Sequence, residues 1–563
     1  MWGFLLFHAL LTGAIASSGA DLGWHFVQNG TTGIVALEAT VISPTLVLMF
    51  DRPVGAPLTI NDHAAWGGLW NLETNQARAL NVVSNSFCAS GGYLSNGTMV
   101  SVGGMTVESP SNTTLPADED GRMAIRIWEP CDDPAGVGCT LVEDPDTLHL
   151  AQPRWYPSAL RVFDGSLMVV GGMHYSTPFW NMPNETESSF EFFPSKDGGV
   201  PRFSPFLNGS LPANLFPRAF TLPDGKIFIV ANNQSVIYDI ETRTETPLPD
   251  LPNGVRVTNP LDGTATLLPL SPPDYVPEIL VCGGSNKSDQ LDYRNFSSQD
   301  PASDQCSRIT LTPEGIKQGW EVELMPEPRI MPEMVLMPDG QVVIINGGRT
   351  GYAAYGTFQD SVGQSNADHA VRTPVLYHPA APRGRRFDRE GLPTSDIARL
   401  YHSSVTLTPS GNLFVAGSNP NGHGLVTGVK FPSEYRAEYL NPPYMTVPRP
   451  LLANVPEKIG FNERFSVDIH IPDNLNSSSL KVALIDLGFS THAFHSSSRL
   501  VFMEAKLSEG NRKLEILTPP NNRVYPPGPA WIYVTVDSVT SVGAQVMVGS
   551  GAAPPVPDQG VRL

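Results

Sequence analysis

A short pattern that recurs seven times between residues 36 and 417 constrains the fold of this chain more than any other feature. Each copy consists of an apolar strand, a tight turn, a second apolar strand and usually a pair of glycines. The turn often contains Asp-Gly or Asn-Gly, which favours the tight connections between antiparallel strands. The copies span residues 37–50, 88–104, 158–172, 218–232, 264–284, 333–348 and 403–417.

The spacing of these hairpins predicts a β-propeller. Successive copies begin about 50–70 residues apart and are joined by long, variable segments. Repeated hairpins of this kind are typical of propeller blades, each of which is a four-stranded sheet. We therefore expect an all-β fold in which residues 21–440 form a seven-bladed, kelch-like propeller. Because the first hairpin lies near the N-terminus, N- and C-terminal strands could complete one blade together.

A second domain is predicted after residue 440, where the pattern stops and prolines become frequent. Within residues 441–563, short strands with alternating polarity are typical of an immunoglobulin-like β-sandwich. They are predicted at residues 465–471, 480–487, 500–504, 513–517 and 530–536. Residues 488–496 interrupt this rhythm, so we predict a loop there that carries His492 and His495.

Composition and the N-terminal segment indicate a secreted protein. The formal net charge of −19 argues against binding to nucleic acid or to an anionic membrane. Residues 1–20 hold an apolar segment followed by small residues and are predicted to be a signal peptide. We find no second apolar run long enough to anchor the chain in a membrane.

Nine Asn-X-Ser/Thr sequons support secretion, because such sites are glycosylated only in the secretory pathway. They lie at Asn29, Asn96, Asn112, Asn184, Asn208, Asn233, Asn286, Asn295 and Asn476.

The five cysteines also suit an oxidising compartment. Cys131 with Cys139, and Cys282 with Cys306, each bracket a loop and would close as disulfides. Cys88 is left over, as a free thiol, a bridge to another chain, a site of unusual covalent chemistry or an inert buried group.

Candidate metal ligands stand at the entrances of the predicted inner strands. Tyr401 and His402 precede the seventh hairpin, and a phenol beside an imidazole suits copper(II). Tyr156 holds the same position before the third hairpin, and Cys88 begins the second. Equivalent strand entrances of a propeller converge on one end of its axis. These four side chains could therefore share an axial site, which His492 could reach from the C-terminal domain.

Four motifs in a fixed order make the chain resemble the fungal glyoxal oxidases, within the copper radical oxidase family that includes galactose oxidase. The likeness covers essentially the whole mature chain, although galactose oxidase has a further domain before its propeller. The motifs are Asn85-Ser86-Phe87-Cys88-Ala89-Ser90, Arg154-Trp155-Tyr156-Pro157-Ser158, Tyr401-His402-Ser403 and Ser490-Thr491-His492-Ala493-Phe494-His495-Ser496.

The resemblance implies one copper ion and a radical cofactor made from the protein itself. Cys88 and Tyr156 would be joined by a thioether, and Tyr156 would bind copper and carry the radical. His402 and His492 would be the other equatorial ligands, while Tyr401 would be the axial ligand and the base. A single copper ion stores one of the two electrons removed, so an oxidisable ligand is needed for the other. A phenolate bearing an electron-donating sulfur is easier to oxidise than a bare phenolate.

The implied reaction is the oxidation of small aldehydes, such as glyoxal and methylglyoxal, to carboxylic acids. The aldehydes would react as hydrates, and O2 would be reduced to hydrogen peroxide that could feed extracellular peroxidases. We expect a monomer. One alternative is a primary-alcohol or galactose oxidase built on the same site, and another is a secreted kelch-type binding propeller without catalysis.

The family places an aromatic ring over the crosslinked tyrosine, and here its position is open. In galactose oxidase a tryptophan follows the glycine pair that corresponds to residues 171–172, where this chain has Met173 and His174. We expect Trp66 to shield the radical, with ordinary core packing as the alternative.

Two further histidines compete for a role at the metal. His378 follows Tyr377 and repeats the Tyr-His pair, but Pro379 comes next, so we place it at the end of an outer strand. His495 is expected to orient its loop or to pack rather than to bind copper.

Overall fold

The computed structural model describes residues 23–53, 55–107, 118–131, 133–175, 179–422, 424–508, 510 and 512–563. The predicted signal peptide, residues 1–20, and the sequon at Asn112 lie outside these residues. The described chain is nearly all β, and none of its helices has the length and apolar character needed to cross a bilayer. Its short α-helices and 3-10 helices are Pro205–Gly209, Pro313–Gln318, Asp197–Gly199, Pro252–Gly254, Tyr293–Asn295, Pro443–Thr446 and Ser477–Ser479.

Seven sheets, named A to G in chain order, each contain a set of four antiparallel strands. Sheet A contains Glu38–Val41, Leu46–Phe50, Gly67–Asn71 and Gln76–Leu80; sheet B Ser90–Tyr93, Met99–Val102, Ile125–Trp128 and Leu141–Val142; sheet C Ser158–Arg161, Leu167–Val170, Ser189–Phe193 and Arg202–Phe203. Sheet D contains Arg218–Thr221, Ile227–Ala231, Gln234–Asp239 and Thr244–Pro247; sheet E Gly263–Leu267, Glu278–Gly283, Gln305–Thr310 and Glu321–Leu324. Sheet F contains Glu333–Leu336, Val342–Ile345, Val375–Tyr377 and Phe387–Asp388; sheet G Ser403–Leu407, Leu413–Gly417, Arg436–Asn441 and His25–Thr31.

The first and last strands of residues 25–441 lie side by side in one sheet. His25–Thr31 pairs antiparallel with Arg436–Asn441, so an N-terminal strand forms the edge of sheet G. The first strands of successive sheets are neighbours from sheet B to sheet G and on to sheet A. Phe489–Thr491 contacts the first strands of both sheet A and sheet B.

Buried arginines explain a glycine at the end of the second strand in sheets C and G. Arg154 Nη1 donates to the carbonyl of Gly171 at 2.7 Å, and Arg399 Nη1 donates to that of Gly417 at 2.6 Å. Both glycines adopt left-handed backbone conformations, with φ of 68° and 71°. A glycine reaches this conformation without the penalty that a side chain brings. The turn therefore directs a carbonyl at a buried guanidinium, and both groups are satisfied.

Residues 451–548 form two further sheets. One consists of Leu451–Ala453, Arg464–His470, Lys513–Leu517 and Ala505–Leu507, and the other of Lys458–Ile459, Ala544–Val548, Gly528–Val536, Lys481–Asp486, Arg499–Met503 and Val539–Thr540. All five strands predicted here are present, whereas Ala544–Val548 and the strands of two or three residues were missed. Ile485, Trp531 and Tyr533 belong to the same buried cluster as core residues of sheets A, F and G.

The predicted loop at residues 488–496 is instead a buried hairpin. Phe489–Thr491 pairs with Phe494–Ser496 and also with Glu38–Val41, which makes the hairpin the edge of sheet A. His492 and Ala493 form its turn with φ of 46° and 61°. The short strands escaped prediction because their backbone groups are satisfied by sheet A, which is remote in sequence.

The remaining strands form two ribbons, Gly348–Tyr355 with Ser365–Ala370 and Thr59–Ile60 with His63–Ala64.

The disulfides Cys131–Cys139 and Cys282–Cys306 are present as predicted, and Cys88 is a buried free thiol. Five sequon asparagines are exposed, and three are partly buried. The exposed ones are Asn184, Asn208, Asn286, Asn295 and Asn476; the partly buried ones are Asn29, Asn96 and Asn233.

We predict that Gly284→Ala destabilises the protein far more than Gly138→Ala. Both glycines have left-handed φ, 89° and 81°, so each alanine carries a backbone cost of about 1 kcal/mol. A Cβ at Gly284 would lie 2.1 Å from the Arg256 carbonyl oxygen, whereas one at Gly138 meets nothing within 4 Å. The clash should remove a further ~1–3 kcal/mol. Urea unfolding measures both variants, and equal losses would contradict the packing argument.

Candidate metal centre

Four segments that are distant in sequence bring the five predicted site residues together. Cys88 and Tyr156 each stand two residues before the first strand of sheets B and C. Tyr401 and His402 immediately precede the first strand of sheet G, and His492 occupies the turn of the inserted hairpin. All five are at most 7% exposed.

The ligand atoms of these residues converge. Cys88 Sγ lies 3.3 Å from His492 Nε2 and 3.9 Å from His402 Nε2. The hydroxyls of Tyr156 and Tyr401 are hydrogen-bonded at 2.7 Å. The ligand atoms of Cys88, His402 and His492 all lie within 4.8 Å of one another, which identifies a candidate site for a metal ion.

The backbone at this centre is strained. Cys88, Tyr156, His402 and His492 have φ of 59°, 60°, 66° and 46°. The left-handed conformation costs a residue with a side chain about 1–2 kcal/mol, so the surrounding fold must impose it. One restraint is direct, because the Tyr156 N–H donates to the Cys88 carbonyl at 3.2 Å. Strain concentrated at converging polar side chains is typical of functional sites.

Hydrogen bonds orient both imidazoles. His402 Nδ1 lies 3.1 Å from the Asn419 carbonyl oxygen, which requires the proton on Nδ1 and leaves the Nε2 lone pair facing the centre. His492 Nδ1 bonds to Thr491 Oγ1 at 2.7 Å, and its Nε2 also faces the centre. Outer partners of this kind set the tautomer and orientation of metal-binding histidines.

Burial determines the protonation of the centre. Burial lowers the pKa of His402 and of His492 well below the usual value. The charges of His492 and Arg52 lower the pKa of His402 further, and the charge of Arg218 lowers that of His492. Burial raises the pKa of Cys88, Tyr156 and Tyr401 well above the usual values. Without a metal the imidazoles are therefore neutral, and the thiol and phenols keep their protons.

This donor set fits copper. Neutral imidazoles offer lone pairs to a cation, and imidazole with phenolate oxygen suits copper(II). A cation would also relieve the burial penalty on phenolate charge, because metal binding is coupled to ligand deprotonation. His402 and His492 could hold the ion with Tyr156 and Tyr401.

Trp66 is not among the aromatic rings that contact Tyr156 in the described part of the chain. Trp66 packs against His63, at 4.8 Å between ring centroids, in a different core cluster from Tyr156. Trp66 is therefore packed in the core, which was the alternative interpretation of this residue. Trp155 and Phe216 contact Tyr156 instead, at centroid distances of 4.5 and 5.1 Å.

Sequence reasoning missed several residues around the centre. Phe216 could have been found, because Phe216-Pro217 precedes sheet D as Tyr156-Pro157 precedes sheet C. Arg52 could not have been found from the sequence, because it follows a strand of sheet A and belongs to no recognisable motif. Its guanidinium donates to the Tyr355 hydroxyl at 2.7 Å, and the Tyr355 ring lies 6.2 Å from those of Tyr401 and His402.

The two competing histidines lie outside the ligand cluster. His378 follows the outer strand Val375–Tyr377, and its Nε2 lies 3.9 Å from a carboxylate oxygen of Asp388. His495 Nε2 is bonded to Glu333 at 3.1 Å, as befits a residue that orients its segment.

Comparison with known proteins shows two matching families. Residues 58–444 match the glyoxal oxidase N-terminus, and residues 449–548 match the galactose oxidase-like Early set domain. An aldehyde oxidase of Vitis pseudoreticulata is 31% identical over 491 residues, covering 85% of this chain and 84% of that protein. An aldehyde oxidase of Arabidopsis thaliana is 28% identical over 576 residues, covering 94% and 86%. Among solved structures, a fungal AA5-family alcohol oxidase in complex with copper has a TM-score of 0.67 at 15% identity. It covers 94% of this chain and 100% of its own.

We predict that Glu38→Gln removes a pH dependence of stability from the metal-free protein. Burial raises the pKa of Glu38, whose Oε1 accepts from the Ala89 N–H beside Cys88, from 4.5 to about 8. The folded state then keeps a proton that the unfolded state releases. The contribution of Glu38 to stability is thus fully present below pH 4.5 and is lost as the pH rises through about 8.

The free energy of unfolding of the wild type, relative to Glu38→Gln, should therefore fall between pH 4.5 and 8. The fall should reach a few kcal/mol, since one pKa unit is worth about 1.4 kcal/mol. Urea titrations at several pH values measure it, with Glu73→Gln as an exposed control. A constant difference across this range would contradict the prediction.

Proposed function

Because the chain belongs to the glyoxal oxidase family of copper radical oxidases, we propose that it oxidises small aldehydes to carboxylic acids. O2 would be the electron acceptor and hydrogen peroxide the second product. The observation that carries this proposal is the convergence of one thiol, two phenols and two neutral imidazoles in a buried centre. Glyoxal and methylglyoxal are the substrates that we propose.

The protein-derived cofactor is proposed to join Cys88 and Tyr156. A bond would form between Sγ and a ring carbon ortho to the phenol hydroxyl, and the two hydrogens lost, one from the thiol and one from that carbon, would pass to O2 as hydrogen peroxide. Two features support this pair. Cys88 and Tyr156 are close enough for each side chain to shift the pKa of the other, and a backbone hydrogen bond fixes their separation.

The aldehyde is proposed to react as its hydrate, which presents a hydroxyl. Copper, when bound, would polarise the substrate oxygen and accept one of the two electrons removed. Tyr401 would take the hydroxyl proton as a general base, and its 2.7 Å hydrogen bond to Tyr156 supports a base that acts beside the oxidisable phenol. Overall, RCH(OH)2 and O2 give RCOOH and H2O2.

The architecture and the location of the protein complete the proposal. We interpret sheets A to G as the blades of a seven-bladed propeller over residues 21–440, and residues 441–563 as an immunoglobulin-like domain that supplies His492. The neighbouring first strands and the shared sheet G support this interpretation. Disulfides and exposed sequons support secretion after removal of residues 1–20. A monomer that supplies peroxide to extracellular peroxidases is proposed.

One preparation of copper-loaded protein tests the function. The peptides containing Cys88 and Tyr156 should be recovered linked, two hydrogens lighter than their sum. Peroxide release should be faster with glyoxal and methylglyoxal than with galactose or primary alcohols. The reverse preference would favour an alcohol oxidase on the same residues. Absence of both the link and peroxide would leave a binding protein.

We predict that Tyr401→Phe separates catalysis from metal binding. Copper should remain bound through Tyr156, His402 and His492, and the thioether should still form. Loss of the base should lower turnover by about 10²–10⁴. Metal content, crosslink mass and peroxide production are measured on one preparation. Full activity would show that Tyr401 is not the base, and lost copper would make it an essential ligand.

A further inference from the structure

A buried carboxylate outside the proposed ligand set connects the segments that carry both histidines. Glu333 is the first residue of the inner strand Glu333–Leu336 in sheet F and is 1% exposed. Its two oxygens accept four hydrogen bonds from two segments that are remote in sequence. The donors are Ser403 Oγ, the Val405 N–H, Ser490 Oγ and His495 Nε2.

Two of these bonds hold the strand that begins directly after His402. Ser403 Oγ donates to Glu333 Oε1 at 3.1 Å, and the Val405 N–H donates to Oε2 at 2.9 Å. Ser403 is the residue next to His402, so these bonds fix the point at which the chain leaves the candidate ligand.

The other two bonds hold the hairpin on both sides of His492. Ser490 Oγ donates to Glu333 Oε2 at 3.0 Å from one strand, and His495 Nε2 bonds to the same oxygen at 3.1 Å from the other. The turn with His492 lies between these two attachment points.

We propose that Glu333 is a positioning residue that sets the separation of His402 and His492 for copper binding. Both histidines have left-handed backbones, with φ of 66° and 46°, and would relax if their segments were released. Relaxation of either segment would leave a buried carboxylate short of donors, which is costly. The four bonds therefore oppose movement of either histidine. This inference rests on the proposed copper function.

A comparison with sheet A shows that an acidic side chain at this position does not require four hydrogen bonds. Glu38 holds the equivalent first position in sheet A and bonds to the Ala89 N–H through Oε1. Its Oε2 has no hydrogen-bond partner among the described residues. A glutamate side chain at this position is thus compatible with a single bond to the next sheet, whereas Glu333 has two bonds to each of two segments.

The test is Glu333→Gln, which keeps the shape of the side chain but replaces one acceptor oxygen with a donor. Copper affinity, measured by competition with a chelator, should fall about 10–100-fold, as is typical when an outer partner of a metal ligand is changed. Electron paramagnetic resonance of the copper(II) form should show altered nitrogen coupling. Glu327→Gln is the matched control, because this buried carboxylate binds Arg329 and Arg349 instead of the histidine segments.

A second set of variants covers the case in which Glu333→Gln fails to fold. Ser490→Ala combined with His495→Leu removes the hairpin donors and leaves the bonds to sheet G. Copper affinity should fall in this double variant. Replacing His495→Leu with His495→Gln in the same Ser490→Ala background keeps an N–H donor and should restore much of the affinity. Ser403→Ala should weaken binding from the side of His402.

The outcomes separate this inference from the proposed function. If the wild type shows no copper signal with two nitrogen ligands, the proposed function fails. If the wild type shows that signal, and folded Glu333→Gln or the hairpin variant keeps both wild-type affinity and the wild-type spectrum, only the role of Glu333 is overturned. An equal loss of affinity in Glu327→Gln would also overturn it, because the effect would then be general to buried carboxylates.

Discussion

The pairing of a C-terminal hairpin with sheet A is the interaction on which the candidate centre depends. Thr491 and Ser490 lie opposite Glu38 and Ala39, and the turn beyond them carries His492. Residues 25–441 alone supply Cys88, both tyrosines and His402. The fifth side chain arrives only because residues from the C-terminal part complete a sheet of the N-terminal part. Residues from both parts of the chain therefore build the candidate centre.

Burying so many polar side chains has to be offset by the fold around them. The imidazoles are kept neutral and the phenols protonated, so in the metal-free state the centre avoids isolated charges. Backbone strain at four of the five residues is held by sheet pairing and by hydrogen bonds such as that from Tyr156 to Cys88. The result is that the side chains of the candidate centre are held close together.

Much of this could be predicted from the sequence, and the failures have physical causes. The hairpins and disulfides followed from local patterns, and residues picked out at strand entrances do lie together, although their chemical roles stay predictions. The hairpin at residues 489–496 and the position of Trp66 could not be derived, because each depends on packing against segments remote in sequence. Phe216 shared a visible Xaa-Pro signal with Tyr156. Glu333 carried no such sequence signal, because its proposed role depends on four hydrogen-bond partners that are remote in sequence.

Sheets A and G also impose an order in time on the maturing protein. The Thr32 hydroxyl bonds to the carbonyl of Tyr435, 403 residues later, and the Thr40 hydroxyl bonds to that of Gly488, 448 residues later. Because synthesis proceeds from the N-terminus, the first strands must wait for their partners until most of the chain has left the ribosome. An incomplete chain thus lacks His492 and cannot assemble the whole ligand set. The proposed oxidase activity would therefore be withheld from nascent and truncated chains by the topology of the chain.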